Sequence, residues 1–317
     1  MGDLRPATLA DAGAVADLET ARTPDEPIAG VMMAYWWTHP TEGQRSTRLV
    51  VERDGSIGIF IEAAHDAWLD AERRFGWVQS SIHPDAWTES LFRDGIATAE
   101  SWLRDEDAQV AVATVREDLE RELAELAALG YREERRERYW ELDLVARRAD
   151  LLATAEKSRV EMVRQGVRLM TLDQDDNTET LHRLYELDVT ATRDIPTTVP
   201  IRMSGFETWY RDYFENPGIR KDRFWIAKVG NDVAAMSLIE FPPERGVPST
   251  VFTGTSPQFR GRGIARALKY ETVAQAIEVG ATRIRTDNDA ANAPILHINE
   301  EMGYRPIKSH LELHSGL

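Results

Sequence analysis

The sequence of 317 residues predicts an α/β (α+β) protein made of two tandem domains. Three observations support this fold class. The second half alternates strand and helix patterns, short motifs recur in the first half at a constant offset, and composition changes between the halves. All five lysines lie at or after Lys157, whereas seven of nine tryptophans lie at or before Trp140. This change favours a domain boundary near the middle of the chain.

The second half contains a strand meander followed by alternating helices and strands. Gly230-Asn231-Asp232 is a hairpin signal between two apolar strands, and Gly280 is a helix stop. The predicted strands cover residues 167–172, 224–229, 233–241, 249–255 and 281–286, and the predicted helices cover 178–192, 206–215, 263–279 and 290–302.

The first half repeats part of this layout. His83-Pro84 ends a strand as Ser256-Pro257 does, and Gly130-Tyr131 ends a helix as Gly303-Tyr304 does. Both pairs of motifs are separated by the same offset, 173, since 257 − 84 = 303 − 130 = 173. A period this long indicates a duplicated domain rather than a solenoid. We therefore predict a domain over 1–146, a helical linker over 147–166 and a domain over 167–317.

A glycine loop, Gln258-x-x-Gly261-x-Gly263, lies between a predicted strand and a predicted helix. Glycines permit positive φ and close approach to an anion, and the helix amides and dipole attract negative charge. Arg260 and Arg262 add donors suited to phosphate. A dinucleotide fingerprint would need a third glycine where Arg266 stands, and the spacing does not fit a P-loop. The loop indicates a different pyrophosphate site, or, if taken alone, a tight turn.

The motif extends well beyond the glycines. The string Thr253–Lys269, with Thr286-Asp-Asn288-Asp-Ala-Ala-Asn292 and Ile298-Asn-Glu-Glu-Met-Gly303-Tyr304, resembles the GCN5-related N-acetyltransferase (GNAT) superfamily. The resemblance covers about residues 167–314, and the layout of the whole chain resembles tandem members of that superfamily. It implies two GNAT-like domains, each with a mixed, mostly antiparallel central sheet flanked by helices. It also implies acetyl-CoA as co-substrate. The spacing of histidine and acidic residues does not suggest a metal site, so we expect no metal.

The resemblance assigns cofactor-binding roles to residues of the second domain. The backbone around Gly254 would pair with the pantetheine arm like an added strand, and the glycine loop would hold the pyrophosphate. Asn288 and Asn292 would lie near the thioester or pantetheine, with helix capping as the alternative. The implied cofactor-binding set is Thr253, Gly254, Thr255, Gln258, Arg260, Gly261, Arg262, Gly263, Ile264, Ala265, Asn288 and Asn292.

The first domain lacks these features at the same offset. Trp87, Thr88, Glu89 and Ser90 stand where the loop has Arg260 to Gly263, and Val115 and Leu119 stand where it has asparagines. A threonine resists positive φ, and Glu89 would repel phosphate. We predict a degenerate domain without a cofactor loop. Its tryptophans either line a pocket or pack in the core: Trp36, Trp37, Trp68, Trp77, Trp87, Trp102 and Trp140.

The implied reaction is attack of an amine on the acetyl thioester, which requires the amine to lose a proton. Glu240, at the end of a meander strand, is the candidate base, and Glu244 and Asp287 are weaker candidates. The alternative for Glu240 is a solvated carboxylate at the end of a strand, without a catalytic role. The superfamily often has a tyrosine acid four residues before the closing glycine, and here that position is Asn299, so its role is in doubt.

Composition narrows the possible partners. Net charge is 38 − 54 = −16, which disfavours nucleic acid as a partner. The chain has no apolar run long enough to span a membrane and no cysteine, so we expect a cytoplasmic protein without membrane partners. We expect a small-molecule or peptide amine as substrate, and a monomer or homodimer.

The predicted function is an acyltransferase that moves an acetyl group from acetyl-CoA to a primary amine by direct attack. One alternative is a catalytically weak acyl-CoA-binding module or regulator, because no base and acid stand out. A second alternative is an aminoacyltransferase that uses charged tRNA, which the acidic charge and the intact loop disfavour.

Overall fold

The computed structural model describes residues 3–53, 55–66, 68 and 72–317. Residues 1, 2, 54, 67 and 69–71 of the predicted first domain lie outside the described residues. The chain forms two compact units. The first comprises Met1–Glu137, Pro243–Gly246 and Lys308–Leu317, and the second comprises Arg138–Pro242 and Val247–Ile307. The C-terminal strand of the chain therefore belongs to the first unit.

The first unit is a mixed sheet covered by helices on both faces. Its strands are β1 (Arg5–Pro6), β2 (Arg45–Arg53), β3 (Ser56–His65), β4 (Phe75–Ile82), β5 (Val110–Arg116), the first part of β6 (Arg132–Asp143) and β13 (His310–Gly316), and its helices are α1 (Ala12–Arg22), α2 (Gly30–Thr38), α3 (Glu89–Asp105) and α4 (Glu120–Ala128). The strands run in the order β1-β2-β3-β4-β5-β13-β6, with β4 and β5 parallel and the other pairs antiparallel.

The second unit has the same kind of architecture. Besides the rest of β6, its strands are β7 (Val167–Thr171), β8 (Phe224–Val229), β9 (Asp232–Glu240), β10 (Ser249–Thr255), β11 (Arg283–Asp289) and β12 (Arg305–Pro306), and its helices are α5 (Arg148–Arg164), α6 (Thr178–Thr192), α7 (Phe206–Phe214), α8 (Ile264–Glu278) and α9 (Ala293–Met302). The strands run in the order β6-β11-β10-β9-β8-β7, and β12 pairs with β6. The β10–β11 pair is parallel, whereas β7–β8, β8–β9, β9–β10 and β12–β6 are antiparallel.

The predicted mixed, mostly antiparallel sheets are thus confirmed. The offset of 173 relates β5 to β11 residue by residue, since 110 + 173 = 283 and 116 + 173 = 289. The same offset relates the first residues of α4 and α9, since 120 + 173 = 293. The duplication that the motifs indicated therefore extends through the secondary structure around them.

Local chemistry sets the helix boundaries in the second unit. The Asn177 side chain accepts a hydrogen bond from the Thr180 amide at 3.0 Å and starts α6 at the predicted residue. Helix α9 starts three residues later than predicted, at Ala293. The Asp289 side chain accepts from the Ala291 amide at 2.7 Å and extends the turn before the helix. A proline in the first turn then fits the helix start.

The segment predicted as a helical linker forms α5 and packs against the second unit. Leu151 and Ala155 join an apolar cluster with Val273 and Ile277 of α8. Arg159 donates two hydrogen bonds to the fully buried Glu271, at 2.7 and 2.8 Å. Helix α5 is therefore part of the body of the second unit.

In each unit, apolar clusters cover both faces of the sheet. In the first unit, α3 covers one face through Phe92 and Ile96, and α1 and α2 cover the other. In the second unit, α8 covers one face through Ile264 and Leu268, while α6 and α7 cover the other. Residues of β10 therefore point alternately toward α8 and toward α6 and α7.

Candidate functional site

Strands β10 and β11 of the second unit separate after a short contact. Among the described residues their parallel pairing is confined to Ser249 and Arg285, although β10 continues to Thr255 and β11 to Asp289. The other edge of β10 stays paired with β9, with a register shift between Thr250 and Phe252. Such a bulge bends a strand away from its neighbour. The edge of β10 that faces β11 can therefore accept an extended chain.

The glycine loop follows directly at the end of β10. Gly261 and Gly263 have φ of 75° and 77°, a left-handed conformation that side-chain-bearing residues rarely adopt. A Cβ atom on Gly261 would meet nothing within 4 Å, so glycine is required there for its backbone conformation. Helix α8 begins at Ile264. Its first backbone hydrogen bond runs from the Ala267 amide to the Gly263 carbonyl at 3.0 Å, so the amides of the preceding residues in the first turn have no partner within the helix. The loop and helix start form an anion-binding concavity.

The two predicted phosphate-binding arginines currently contact protein groups. Arg260 donates to the Thr255 carbonyl at 3.1 Å and pairs with Asp194 at 2.5 Å. The Arg260 and Asp194 side chains are 45% and 58% exposed, so this ion pair contributes little to stability and can be exchanged for a phosphate. Arg262 donates to the Gln165 carbonyl at 2.9 Å.

The remaining loop residues differ in what they can offer a ligand. The Gln258 side chain is exposed in the turn before Arg260, whereas Ile264 is buried and can contribute only its backbone N–H. A Cβ atom on Gly254 would lie 2.6 Å from the Phe252 ring, so glycine is required there by packing. Ala265 is half-buried in the first turn of α8.

Two threonines of β10 point toward α8. The Thr253 and Ser237 hydroxyl groups lie 2.8 Å apart and satisfy each other. The Thr255 hydroxyl is buried and has no hydrogen-bond partner among the described residues. An unsatisfied hydroxyl at the end of an open strand edge can donate to, or accept from, a ligand.

The two predicted asparagines occupy different environments. Asn288 accepts a hydrogen bond at 2.7 Å from the amide group of Asn299, so its side chain does not cap α9. Asn292 is the residue before α9, but its side chain makes no capping hydrogen bond. Asn299 is fully buried, and its side-chain oxygen has no partner among the described residues. A carboxamide has no acidic proton, so Asn299 can orient a neighbour but cannot act as a general acid.

Sequence reasoning missed a buried lysine in this region. Lys269 of α8 is 1% exposed, and its Nζ has no hydrogen-bond partner among the described residues. The Nζ lies 5.3 Å from the centre of the Tyr304 ring. Burial lowers the pKa of Lys269 to about 8, against an opposing effect of Asp287. The offset of 173 could have revealed it, because the corresponding residue in the first unit is Ile96.

Glu240, the candidate base, lies at the end of β9 beside Ser249. Its carboxylate accepts a hydrogen bond from the Asn216 side chain at 2.9 Å. Burial raises the pKa of Glu240, and the hydrogen bond from Asn216 opposes this effect. A carboxylate with a raised pKa is a better proton acceptor near neutral pH. Of the weaker candidates, Glu244 lies in the turn Pro243–Gly246, which packs with the first unit.

Comparisons with known proteins agree with this geometry. Residues 181–304 match the sequence model described as "Acetyltransferase (GNAT) family". The fold is similar to that of a tandem GNAT protein from the clavulanic acid biosynthesis pathway, with a TM-score of 0.76, 18% identity and coverage of 99% and 98% of the two chains. It is also similar to a GCN5-related N-acetyltransferase from Sphaerobacter thermophilus, with a TM-score of 0.67, 18% identity and coverage of 99% and 95%.

Residues 181–304 thus carry a GNAT-type domain, and the fold of the whole chain is similar to that of tandem GNAT proteins. The glycine loop lies within the residues that match this family model. Among the described residues, no group of three acidic or histidine side chains is placed to hold a metal ion. Within the same ranges, no helix has the length and apolar character needed to cross a membrane.

Proposed function

We propose that this protein is an N-acetyltransferase that transfers an acetyl group from acetyl-CoA to a primary amine of a small molecule or peptide. The main support for this proposal is the structure around the end of β10. The open edge of β10 leads directly into two left-handed glycines and into the first-turn amides of α8, which precede the first hydrogen bond of that helix. An extended chain along the edge and a pyrophosphate at the helix start would use both features.

The residues present fit a bound acetyl-CoA. Thr253 to Thr255 would hold the pantetheine arm through their backbone, and the buried, unsatisfied hydroxyl of Thr255 would gain a partner. Gln258 and residues 260–265 would hold the pyrophosphate, with Arg260 leaving Asp194. Asn288 and Asn292 would flank the pantetheine or thioester end. The co-substrate supplies the acyl group as a thioester.

The chain's own contribution to catalysis would be proton transfer. Glu240 would accept the proton from the attacking amine, because burial has raised its pKa. Asn216 fixes the orientation of this carboxylate. Asn299 would orient Asn288 rather than donate a proton.

Acetyl-CoA binding is tested by calorimetry on the full chain with a matched pair of variants. Gly261→Glu places a carboxylate at the proposed pyrophosphate site, and Ser90→Glu places one at the position that corresponds to Gly263 in the first unit. We expect one site per chain, lost in Gly261→Glu and retained in Ser90→Glu. Absence of binding would exclude the proposal, and two sites would show that the first unit also binds.

Turnover is tested with a panel of primary amines and the Glu240→Gln variant. Loss of a general base lowers kcat by about 10²–10⁴-fold. We expect kcat of the unaltered protein to rise with pH through the raised pKa of Glu240, and this rise to disappear in the variant. Binding without turnover on the whole panel would favour the alternative, a catalytically weak acyl-CoA-binding module or regulator.

The remaining parts of the proposal follow from the chemistry. We propose that the reaction takes place in the cytoplasm, as expected for a chain without cysteine. The net charge of −16 favours a cationic amine over nucleic acid as a partner. Neither a membrane nor a metal has a role in the proposed reaction, which one chain or a homodimer would carry out. Tight tRNA binding that weakens steeply with salt would instead support the aminoacyltransferase alternative.

A further inference from the structure

A cleft of about 470 Å³ lies within the first unit, on the face of the sheet that α1 and α2 cover. This volume is in the range of small-molecule sites. One wall comes from α2 and the floor from β2, β3, β4 and β5. Four aromatic residues line it: Trp36, Trp37, Phe60 and Trp77. Three of the seven tryptophans of the N-terminal half therefore line a pocket.

Carboxylates lie among these aromatic side chains. Glu19 and Glu62 both line the cleft, and their side chains are only 10% and 22% exposed. Arg48 donates to Glu62 at 2.6 Å. Glu19 accepts from Arg22 at 2.5 Å and from the amide group of Gln79 at 3.0 Å.

The charges of this network do not balance. Arg22 also donates to Glu122, from Nη2 at 2.6 and 2.8 Å and from Nε at 3.3 Å. Among the described residues, the three carboxylates Glu19, Glu62 and Glu122 thus share two guanidinium groups, which leaves one negative charge in excess. Burial raises the pKa of Glu62, Arg48 opposes this effect, and the charge of Glu19 adds to it. A bound cation would remove the cost of the excess charge.

The aromatic wall already holds one cation of the protein itself. The Arg48 guanidinium lies 5.2 Å from the centre of the Trp37 ring, and Trp37 stacks on Phe60 with ring centres 5.7 Å apart. Trp36, one residue along α2, is 43% exposed. Cations bind over indole faces, and nearby carboxylates strengthen the attraction.

We propose that the first unit binds a small organic cation, an alkyl- or arylammonium, in this cleft. The carboxylates would repel the phosphates of a nucleotide, so the cleft favours a ligand of the opposite charge. The inference does not rest on the acetyl-transfer proposal, because none of its residues belongs to the glycine loop or the second unit.

The test is a calorimetric titration of the full chain with choline and with its neutral isostere 3,3-dimethylbutan-1-ol. We expect choline to bind at millimolar concentration or below, and the isostere to bind about tenfold more weakly, the size of a cation–π contact supported by charge. Gly261→Glu should leave choline binding unchanged, which separates this site from the one proposed for acetyl-CoA.

Three variants locate the site. Glu62→Gln removes the charge, and Trp36→Ala removes an exposed ring and is the safer change for folding. Each should weaken choline binding about fivefold or more. Asp85→Asn, at a carboxylate whose side chain is 93% exposed, should have no effect. Equal affinity for the neutral isostere, no binding of choline, or binding unchanged in both cleft variants would overturn the proposal.

Discussion

Corresponding residues of the two units lie 173 positions apart in the sequence. The corresponding helices, α3 in the first unit and α8 in the second, nevertheless begin in opposite ways. In the second unit, Gly261 and Gly263 are left-handed and leave the first-turn amides of α8 open. In the first unit, Thr88 is extended, with φ of −139°, and its hydroxyl accepts from the Leu91 amide at 3.3 Å. A cap and an anion compete for the same amides. The first unit caps its helix at the place where the second unit leaves the amides open, as the proposed binding site requires.

The strands that precede these helices, β4 in the first unit and β10 in the second, differ in how fully they pair with the neighbouring parallel strand. Strands β4 and β5 pair at three positions, from Phe75 to Trp77, and β4 pairs with β3 without a register shift. In the second unit the parallel contact is confined, among the described residues, to one pair, and β10 carries a bulge. The second unit therefore exposes a longer strand edge.

The interiors differ as well. Lys269, Asn288 and Asn299 correspond to Ile96, Val115 and Leu126, all three of which belong to the apolar cluster of the first unit. Buried polar groups cost stability unless they are hydrogen-bonded, and two of the three have an unsatisfied atom. Such costs are typical of functional sites rather than of structural cores.

The largest expected effect on stability comes from placing a lysine in the first unit at Ile96, the position that corresponds to Lys269. Ile96→Lys would place a charge among Phe92, Ile61 and Leu126 without a partner. We expect the free energy of unfolding to fall by about 3–5 kcal/mol. The measurement is the urea midpoint of the transition, with Ala97→Lys on the exposed face of α3 as the control. A loss no larger than in the control would mean that the two interiors tolerate charge equally.

The reverse substitution is expected to stabilise the second unit. The pKa of Lys269 is lowered from 10.5 to about 8, so the folded state binds its proton less tightly than the unfolded state. Stability contributed by this group therefore rises as pH increases from about 8 to 10.5. Below that window its burial costs about 3 kcal/mol. Lys269→Ile should raise the midpoint of unfolding near neutral pH.

The control for this substitution is its pH dependence. The gain of Lys269→Ile over the unaltered protein should shrink as pH rises through the window, because the lysine then loses its charge in the unfolded state too. A gain that is constant with pH would indicate a packing effect instead. A decrease in stability would show that the Lys269 ammonium has partners that compensate for its burial.

The sequence predicted most of the fold because its signals are local. Asn177 caps α6, and Gly280 ends α8 with φ of 86°, so short-range chemistry located both helix ends. The glycine loop was predictable for the same reason, since glycines between a predicted strand and a predicted helix indicate a left-handed backbone there. The role of β13 was not predictable, because its partners β5 and β6 lie far away along the chain. Lys269 was missed because helical spacing alone does not distinguish a buried lysine from an exposed one.

The smallest predicted effect tests whether the Thr88 cap replaces a ligand. Thr88→Ala removes the hydroxyl that accepts from Leu91 and should cost about 1 kcal/mol of stability. Thr88→Ser retains a hydroxyl and should cost much less, so it serves as the control. Both variants should leave acetyl-CoA binding unchanged, since the proposed site lies in the second unit. If Thr88→Ala costs nothing, the first-turn amides of α3 are satisfied in another way, and the contrast between a capped helix and an open one no longer holds.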